Sequence, residues 1–215
     1  MIKNFLQTLI WLIPASSGKN KLLTKFGHSI SPSAYIAPNL VFNVQHVSAG
    51  PRSSIGPTNV IRNMKEIWLS EASKIGSFNV ISSHPVYQRL YANGATLVLR
   101  ANSSITSWHQ LDAAGGIQLG GFACLGGSGS KILTHSIDLR LNVQAAYPVT
   151  IGRRTFVDSS CLILGGAVLP ESSFFGVGTV VPHSSAAKNP GHWSGNPAKR
   201  TGDAEGNWYN REDEN

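Results

Sequence analysis

The side chains best suited to proton transfer in this chain are those of histidine and aspartate. Imidazole titrates close to neutral pH, so a histidine can remove the proton from a hydroxyl group that must act as a nucleophile. His135 and Asp138 stand in one short stretch, and Asp112 precedes His135 by 23 residues. A basic imidazole also needs a partner that fixes which ring nitrogen holds the proton. Asp112 and Asp138 are the two candidates for this partner, and Asp138 fits a turn cap equally well.

A period of six residues runs through the part of the chain that must position these side chains. From Ile151 onward an aliphatic or aromatic residue recurs every six positions, and a small residue follows each one four positions later. A period of six matches neither 3.6 nor 3.5, so these are not helix stripes. The large residues are Ile151, Val157, Ile163, Leu169, Phe175 and Val181, and earlier sets stand at Leu99, Ile105, Leu111 and Ile117, at Ile55, Ile61 and Ile67, at Leu69, Ile75 and Ile81, and at Ile30, Ile36 and Phe42.

Three six-residue faces make one 18-residue turn of a triangular column. The large residue of each hexad points inward, and the small residue lies where the backbone bends. At 18 residues a turn, about eight turns fit between residues 30 and 186, and they stack at strand spacing, about 4.8 Å. Asp112 is then expected about one layer below His135. The repeat is interrupted from Gly126 to Pro148, and such interruptions are where function is usually placed.

The motifs around this interruption resemble those of the hexapeptide-repeat acyltransferases. Residues 134–138 are similar to the family's THxxD segment, residues 148–152 to the PxxIG segment after its loop, and residues 195–199 to its closing GNPAK signature. The resemblance covers about residues 20–200 and includes sugar O-acetyltransferases of the colanic-acid and exopolysaccharide types. It implies an all-β solenoid, namely a left-handed parallel β-helix of triangular cross-section with a short N-terminal helix and an irregular C-terminal tail.

The resemblance also implies an activity. Members of this family move an acetyl group from acetyl-CoA to a sugar hydroxyl, here expected in polysaccharide or cell-envelope glycan synthesis. The family's general base aligns with His135, which would act by direct transfer without an acyl-enzyme, and Asp112 is our preferred partner for it. No metal is expected. The family's active site lies between neighbouring subunits of a trimer, so we expect a homotrimer with a sugar or glycan acceptor.

Residue by residue, the resemblance places the coenzyme along the late turns. Ser159, Val177 and Gly178 would line the pantetheine arm, and Lys199 and Arg200 would meet the phosphates. The chain departs from the family's pattern at Pro182 and His183, where relatives often have a Thr-Lys pair, and a lysine contact to the coenzyme is expected to be missing. Residues 187–193, before the GNPAK signature, form a longer insertion than usual.

The charge distribution indicates which partners the chain attracts. Its 215 residues have a formal net charge of +7, and residues 1–200 contain 17 basic and 6 acidic side chains, a difference of +11. No acidic residue precedes Glu66. A basic body favours anions such as a phosphorylated coenzyme or an anionic lipid. The chain has no RNP-like aromatic block and no recognition-helix pattern, so nucleic acid is not an expected partner.

The termini and the cysteines suggest how the chain is divided and where it works. An apolar run over residues 5–14 is too short to span a bilayer and predicts an amphipathic helix, which either packs on the body or contacts a membrane surface. Cys124 and Cys161 form no disulfide framework, which favours a reducing, cytoplasmic compartment, at most peripheral at the inner membrane face. The predicted units are an N-terminal helical segment (1–28), the β-helix (29–186, with a catalytic loop at 126–148) and a C-terminal extension with an acidic tail (187–215).

Two other functions fit the same column. One is a β-helix scaffold without catalysis. The other is a metalloenzyme like the γ-carbonic anhydrases, which need three converging histidines. Here His84, His109 and His135 are 25 and 26 residues apart, and no closely spaced pair exists. His109 stands at a corner where a small residue is normal, which suggests a role in a groove or an interface.

Overall fold

The computed structural model describes residues 2–185 and 189–211, and its central feature is a column of short parallel strands. The chain visits three faces in turn, here called faces one, two and three, and each strand pairs with the strand one turn later on the same face. The predicted left-handed parallel β-helix is confirmed. The helices are α1 (Ile2–Leu12), α2 (Ser17–Lys25), α3 (Tyr87–Leu90) and a 3-10 helix (Asn207–Asn210).

Three parallel sheets enclose the core of the column. Face one consists of β1 (Ser29–Ile30), β4 (His46–Ala49), β7 (Glu66–Leu69), β10 (Thr96–Leu99), β13 (Ile117–Leu119), β18 (Val149–Ile151) and β21 (Val168–Leu169). Face two consists of β2 (Tyr35–Ile36), β5 (Ser54–Ile55), β8 (Lys74–Ile75), β11 (Ser104–Ile105), β14 (Cys124–Leu125), β19 (Phe156–Val157), β22 (Phe174–Phe175), β24 (His192–Ser194) and β25 (Lys199–Gly202). Face three consists of β3 (Leu40–Phe42), β6 (Val60–Arg62), β9 (Val80–Ser82), β12 (Gln110–Asp112), β15 (Lys131–Leu133), β20 (Leu162–Leu164) and β23 (Val180–Val181).

The turns are not uniformly 18 residues long, as the sequence had suggested. Val47 pairs with Ile67, twenty residues later, whereas Ile151 pairs with Leu169, eighteen residues later. Only the late turns follow the strict hexad. The longer early turns explain the phase slips between the hexad sets. Because early turns use more residues and two segments leave the column, faces one and three have seven strands each in the described part of the chain, fewer than the eight turns expected.

The inward hexad positions form one continuous apolar core, as the repeat predicts. Ile151, Val157, Ile163, Leu169 and Phe175 are each at most 1% exposed. A buried aliphatic side chain of this size stabilises a fold by about 1.5–3 kcal/mol relative to its exposed state. The same core cluster extends from Ile10 to Val181, so stacking of turns builds a single core along the column.

A ladder of buried polar side chains joins the turns at the second corner, between faces two and three. The Oδ1 atom of Asn59 accepts a hydrogen bond from the backbone N–H of Asn79, and the Oδ1 atom of Asn79 accepts one from His109, both at 2.8–2.9 Å. The Nδ1 atom of His109 accepts the next one from Ser130 N–H at 3.2 Å. His109 is 2% exposed. It therefore replaces an asparagine in the ladder, and the groove or interface role suggested by the sequence is not what its burial supports.

Burial in this ladder lowers the pKa of His109 from 6.5 to about 4. Between these two values the unfolded chain holds a proton on His109 that the folded chain does not, so stability falls as the pH falls through this window. The full effect is about 3 kcal/mol. We expect His109→Asn, which preserves the ladder geometry, to flatten this part of the stability profile. Urea unfolding of both proteins between pH 7.5 and pH 4 measures the difference.

A matched control for this prediction is His84→Asn, because the side chain of His84 is exposed. This variant should keep the pH dependence of the unmodified chain. Parallel stability profiles for His109→Asn and the unmodified protein would contradict the assignment of His109 as a buried neutral rung.

The N-terminal helices close one end of the column. Trp11 and Leu23 are fully buried in the core cluster, below the first turn. The ammonium group of Lys19 donates hydrogen bonds to the carbonyl oxygens of Trp11, Ile13 and Ala37 at 2.8–2.9 Å. Burial lowers the pKa of Lys19 to about 8. A cation at the C-terminal carbonyls of α1 interacts favourably with the helix dipole, so Lys19 fastens α1 and α2 to the column.

The described part of the C-terminal extension, residues 189–211, packs on the column. Strand β24 pairs in parallel with β22 and so continues face two, and β25 returns antiparallel to it. The chain then folds back over face two, where the ring of Trp208 meets Phe156 edge-on and the Arg211 guanidinium lies 3.2 Å from the centre of the Trp208 ring. The aromatic residue Trp208, near the end of the chain, favours this return because its ring packs on Phe156 of face two. The acidic residues 212–214 lie outside the described residues.

Two segments leave the column at the third corner, between faces three and one. One runs from Ser83 to Ala95 and contains α3. The other is a hairpin of β16 (His135–Asp138) and β17 (Val143–Ala146). The predicted loop at 126–148 is thus narrower in the structure, because residues 131–133 remain in the column as β15. Between the two segments, Gly115 allows close packing, since a Cβ atom there would lie 2.5 Å from the Tyr147 backbone.

Candidate active site

His135 and Asp112 meet at the third corner. Asp112 ends β12, and its neighbour on β15 is Leu133, so the chain reaches His135 two residues after passing directly over Asp112. The Nδ1 atom of His135 lies 2.6 Å from the Oδ2 atom of Asp112. A carboxylate accepts only, so Nδ1 donates and Nε2 keeps its lone pair. The His135 side chain is 44% exposed and that of Asp112 is 15% exposed, which leaves the ring open to a ligand.

Backbone groups hold the Asp112 carboxylate in place. Its Oδ2 atom accepts hydrogen bonds from the N–H groups of Thr134 and His135 at 3.0 and 3.1 Å, and its Oδ1 atom accepts one from Ala114 at 3.3 Å. The Thr134 hydroxyl donates to the Asp112 carbonyl and accepts from Gly115 N–H, both at 2.8 Å. These contacts tie the residue before the candidate base to the layer below, so the orientation of the imidazole is set by the stacking of two turns.

Asp138, the other candidate for the carboxylate partner of His135, instead binds backbone N–H groups of its own hairpin. Its Oδ1 atom accepts hydrogen bonds from the backbone N–H groups of Arg140 and Leu141 at 2.9 and 3.1 Å. It therefore caps the turn of the hairpin, as aspartate commonly does.

Tyr87 is a site residue that the sequence interpretation missed. It lies on α3 and is 2% exposed, with its ring centroid 5.7 Å from that of His135. Its hydroxyl donates to the side-chain oxygen of Gln144 at 3.2 Å, which links α3 to the hairpin. Burial, then the proximity of Tyr91 and Asp112, raises the pKa of Tyr87. Its only sequence signal was the gap between the hexad set that ends at Ile81 and the set that begins at Leu99; across this gap Ile67 pairs with Leu97, thirty residues later instead of twenty.

The residues expected along the coenzyme lie at a different corner. Ser159, Val177 and Gly178 stand at the second corner, where the carbonyl of Ser159 accepts a hydrogen bond from Gly178 N–H at 3.0 Å. Val177 is 66% exposed, and a Cβ atom at Gly178 would meet no atom within 4 Å. This corner therefore presents an accessible surface around Val177 and Gly178. Face three separates it from His135, so one chain does not bring the two groups together.

The two residues predicted to bind the coenzyme phosphates, Lys199 and Arg200, differ in their surroundings. Lys199 begins β25 and is exposed. The guanidinium of Arg200 donates to the carbonyl of Pro190 at 2.9 Å and forms an ion pair with Asp203. Lys199 fits a phosphate contact, whereas Arg200 is engaged within its own hairpin and its neighbouring loop.

Comparison with solved structures identifies proteins of the same architecture. The polysialic acid O-acetyltransferase OatWY aligns with a TM-score of 0.60 and 19% sequence identity, over 82% of this chain and 84% of that one. AntD, an N-acyltransferase from Bacillus cereus solved with dTDP-4-amino-4,6-dideoxyglucose and Coenzyme A, aligns with a TM-score of 0.54 and 14% identity, over 89% and 91%. No family model and no curated protein matches the sequence. The chain shares the fold of these two acyltransferases.

On this shared fold, the surroundings of His135 are open. The hairpin that follows it exposes four apolar side chains, and a cavity of about 550 Å³ lies elsewhere, on face two, near Lys74 and Phe122. The exposed hairpin residues are Ile137, Leu139, Leu141 and Val143.

Within residues 2–185 and 189–211, no group of three or more His, Cys, Asp or Glu side chains is arranged to hold a metal ion. Among the described helices, none has the length and apolar character needed to cross a membrane.

Proposed function

We propose that this chain is an O-acetyltransferase that moves an acetyl group from acetyl-CoA to a sugar hydroxyl in polysaccharide or cell-envelope glycan synthesis. The observation that supports this most directly is the short contact from Nδ1 of His135 to the Asp112 carboxylate, with the ring half exposed beside it. The two solved acyltransferases of the same fold act on or bind sugar compounds, as their descriptions state, and this is the reason for choosing a sugar acceptor.

The chemical step uses Nε2 of His135 as a general base. An alcohol is a weak nucleophile at neutral pH, so Nε2 removes the hydroxyl proton as the oxygen attacks the acyl carbon. Asp112 holds the Nδ1–H tautomer and stabilises the imidazolium that forms. Acetyl-CoA supplies the activated acyl group as its thioester. The proton on Nε2 then passes to the departing thiolate, so the ring returns to its starting state.

A homotrimer completes the site in this proposal. The track at Ser159, Val177 and Gly178, with Lys199 near its end, fits a thin acyl arm with an anionic terminus. That track and His135 lie on opposite edges of face three. Packing of two columns side by side would bring the track of one copy to the His135 of the next, and three such contacts close a ring. The exposed apolar hairpin provides surface for this contact.

The cellular setting follows from the cysteines and the donor. Cys124 and Cys161 are both free and buried, which suits a reducing compartment. Acetyl-CoA carries several negative charges and does not cross a membrane unaided, so we propose that the enzyme works on the cytoplasmic side, where this donor is made.

The experiment that tests the activity is a saccharide panel. The purified protein is mixed with acetyl-CoA and neutral, acidic and amino sugars, both free and as oligosaccharides, and free thiol release is followed with mass analysis of the products. Acceptor-dependent thiol release with a mass gain of one acetyl group is expected. Absence of transfer to every acceptor, together with absence of acetyl-CoA binding by calorimetry, would favour the scaffold alternative.

A further inference from the structure

Helix α1 is apolar on two sides, and only one of them packs on the column. Ile10 and Trp11 are buried in the core cluster. A second set of large apolar residues points away from the body, with exposed fractions between 38% and 65%. Their spacing places them on one side of a helix. The residues of this outer side are Phe5, Leu6, Leu9, Leu12 and Ile13.

The neighbouring helix α2, which contacts α1, carries a further exposed apolar residue and positive charge. Leu22 of α2 is 39% exposed, and Lys21 and Lys25 of the same helix are exposed. Residues 1–65 contain no Asp or Glu. The outer side of α1 together with Leu22, Lys21 and Lys25 is called the end surface below. It combines an unpartnered apolar stripe with cations and no compensating carboxylate in the adjoining sequence.

The composition of the end surface selects among possible occupants. A second copy docked end to end would bring the lysines of one chain against those of the other, which is unfavourable. An anionic bilayer instead matches both features, because the apolar side chains enter the acyl boundary while the ammonium groups meet lipid phosphates. We propose that the end surface binds the surface of an anionic phospholipid membrane, with α1 lying in the interfacial plane.

This binding fixes how far the candidate active site stands from the bilayer. Helix α1 packs on β3, the first strand of face three, and His135 follows β15, the fifth strand of that face. Four layers at strand spacing place His135 about 20 Å above β3, and the end surface lies one helix diameter, roughly 10 Å, beyond that strand. A column standing on this end therefore presents its candidate site to molecules that extend from the membrane surface.

Vesicle binding tests the proposal without reference to enzymatic activity. The full-length protein is sedimented with phosphatidylcholine vesicles that contain either no phosphatidylglycerol or about a third of it. We expect binding to the anionic vesicles, weakened by added salt. Leu9→Ser with Leu12→Ser should reduce partitioning at least about tenfold, and Lys21→Glu with Lys25→Glu should do the same for anionic vesicles.

Matched controls distinguish binding through the end surface from nonspecific adsorption to the vesicles. Leu90→Ser with Val168→Ser removes apolar residues elsewhere whose exposure is similar or greater, and Lys74→Glu with Lys131→Glu reverses two exposed charges on faces two and three. Both control pairs should bind like the unmodified protein. Equal losses in test and control variants would overturn the proposal. Absence of vesicle binding by the unmodified protein, or self-association through Leu9 and Leu12 without lipid, would also overturn it.

A depth probe checks the orientation. Burial raises the pKa of the Cys124 and Cys161 thiols, so a single exposed cysteine can be labelled selectively. An environment-sensitive fluorophore on Leu9→Cys should shift to the blue on anionic vesicles, whereas the same fluorophore on Glu171→Cys, in the last turns, should not shift. Equal responses at both positions would contradict end-on binding. Thermal unfolding of each variant confirms that it is folded.

Discussion

The variant His135→Ala should lose about 10²- to 10⁴-fold in kcat for acetyl transfer, the range expected when a general base is removed. The loss follows from the geometry, because Asp112 occupies Nδ1 of His135 and leaves Nε2 as the only ring nitrogen able to take the acceptor proton. The alanine variant should keep its oligomeric state and its affinity for acetyl-CoA, since the predicted coenzyme track lies at the other corner. Initial rates at saturating acetyl-CoA, with calorimetry for binding, measure both quantities.

The matched control is His183→Ala. His183 is another exposed histidine near the third corner, where its ring contacts that of Tyr147 at a centroid distance of 4.7 Å. This variant should retain kcat within a few-fold. A His135→Ala enzyme with undiminished kcat would refute the assignment of the base, whatever the acceptor sugar is.

The second large effect is expected for Asp112→Asn. The amide has nearly the same shape and can still accept backbone hydrogen bonds, but it does not stabilise an imidazolium and does not enforce the Nδ1–H tautomer. We expect kcat to fall by about 10- to 10³-fold while the KM for acetyl-CoA changes little. The cost in stability should be small, about 1 kcal/mol, because the acceptor oxygens are only partly replaced. Steady-state kinetics and urea unfolding measure the two effects separately.

Asp138→Asn is the control for this prediction, since Asp138 caps the hairpin turn at 2.9 Å from Arg140 N–H. It should leave kcat almost unchanged. If Asp112→Asn lowered stability strongly and raised the KM for acetyl-CoA without lowering kcat, Asp112 would be a structural residue and not the positioning partner of His135.

The architecture of the column could be derived from the sequence, because its cause is local and periodic. A large apolar residue every six positions, followed by a small one at the bend, determines which side chains are buried in every turn. The inward positions from Ile151 to Phe175 are accordingly buried. What the repeat does not encode is the length of each turn: the early turns add residues at their corners without disturbing the inward positions, so the number of turns was overestimated.

The candidate site could be derived only in part. The spacing of Asp112 and His135 predicted that the two residues lie in adjacent layers of the column. It did not decide whether Asp112 or Asp138 is the partner of His135, because a difference of one or two residues in turn length moves a side chain to another part of the corner. The register of β12 with β15 decides between them. Tyr87 was not found from the sequence, since it lies in an inserted segment whose packing has no periodic signal. His109 was misinterpreted because its ladder partners come from other turns.

The sequence by itself determined the repeat, the buried face of each hexad and the residue types able to transfer a proton, since these depend on neighbours along the chain. Only the tertiary structure decided which carboxylate meets the imidazole, that Tyr87 of α3 lies beside that imidazole, that Arg200 pairs with Asp203, and that α1 has an apolar side left uncovered. The reason is that these contacts join residues from different turns, and their distances depend on how the turns stack and how long each corner is.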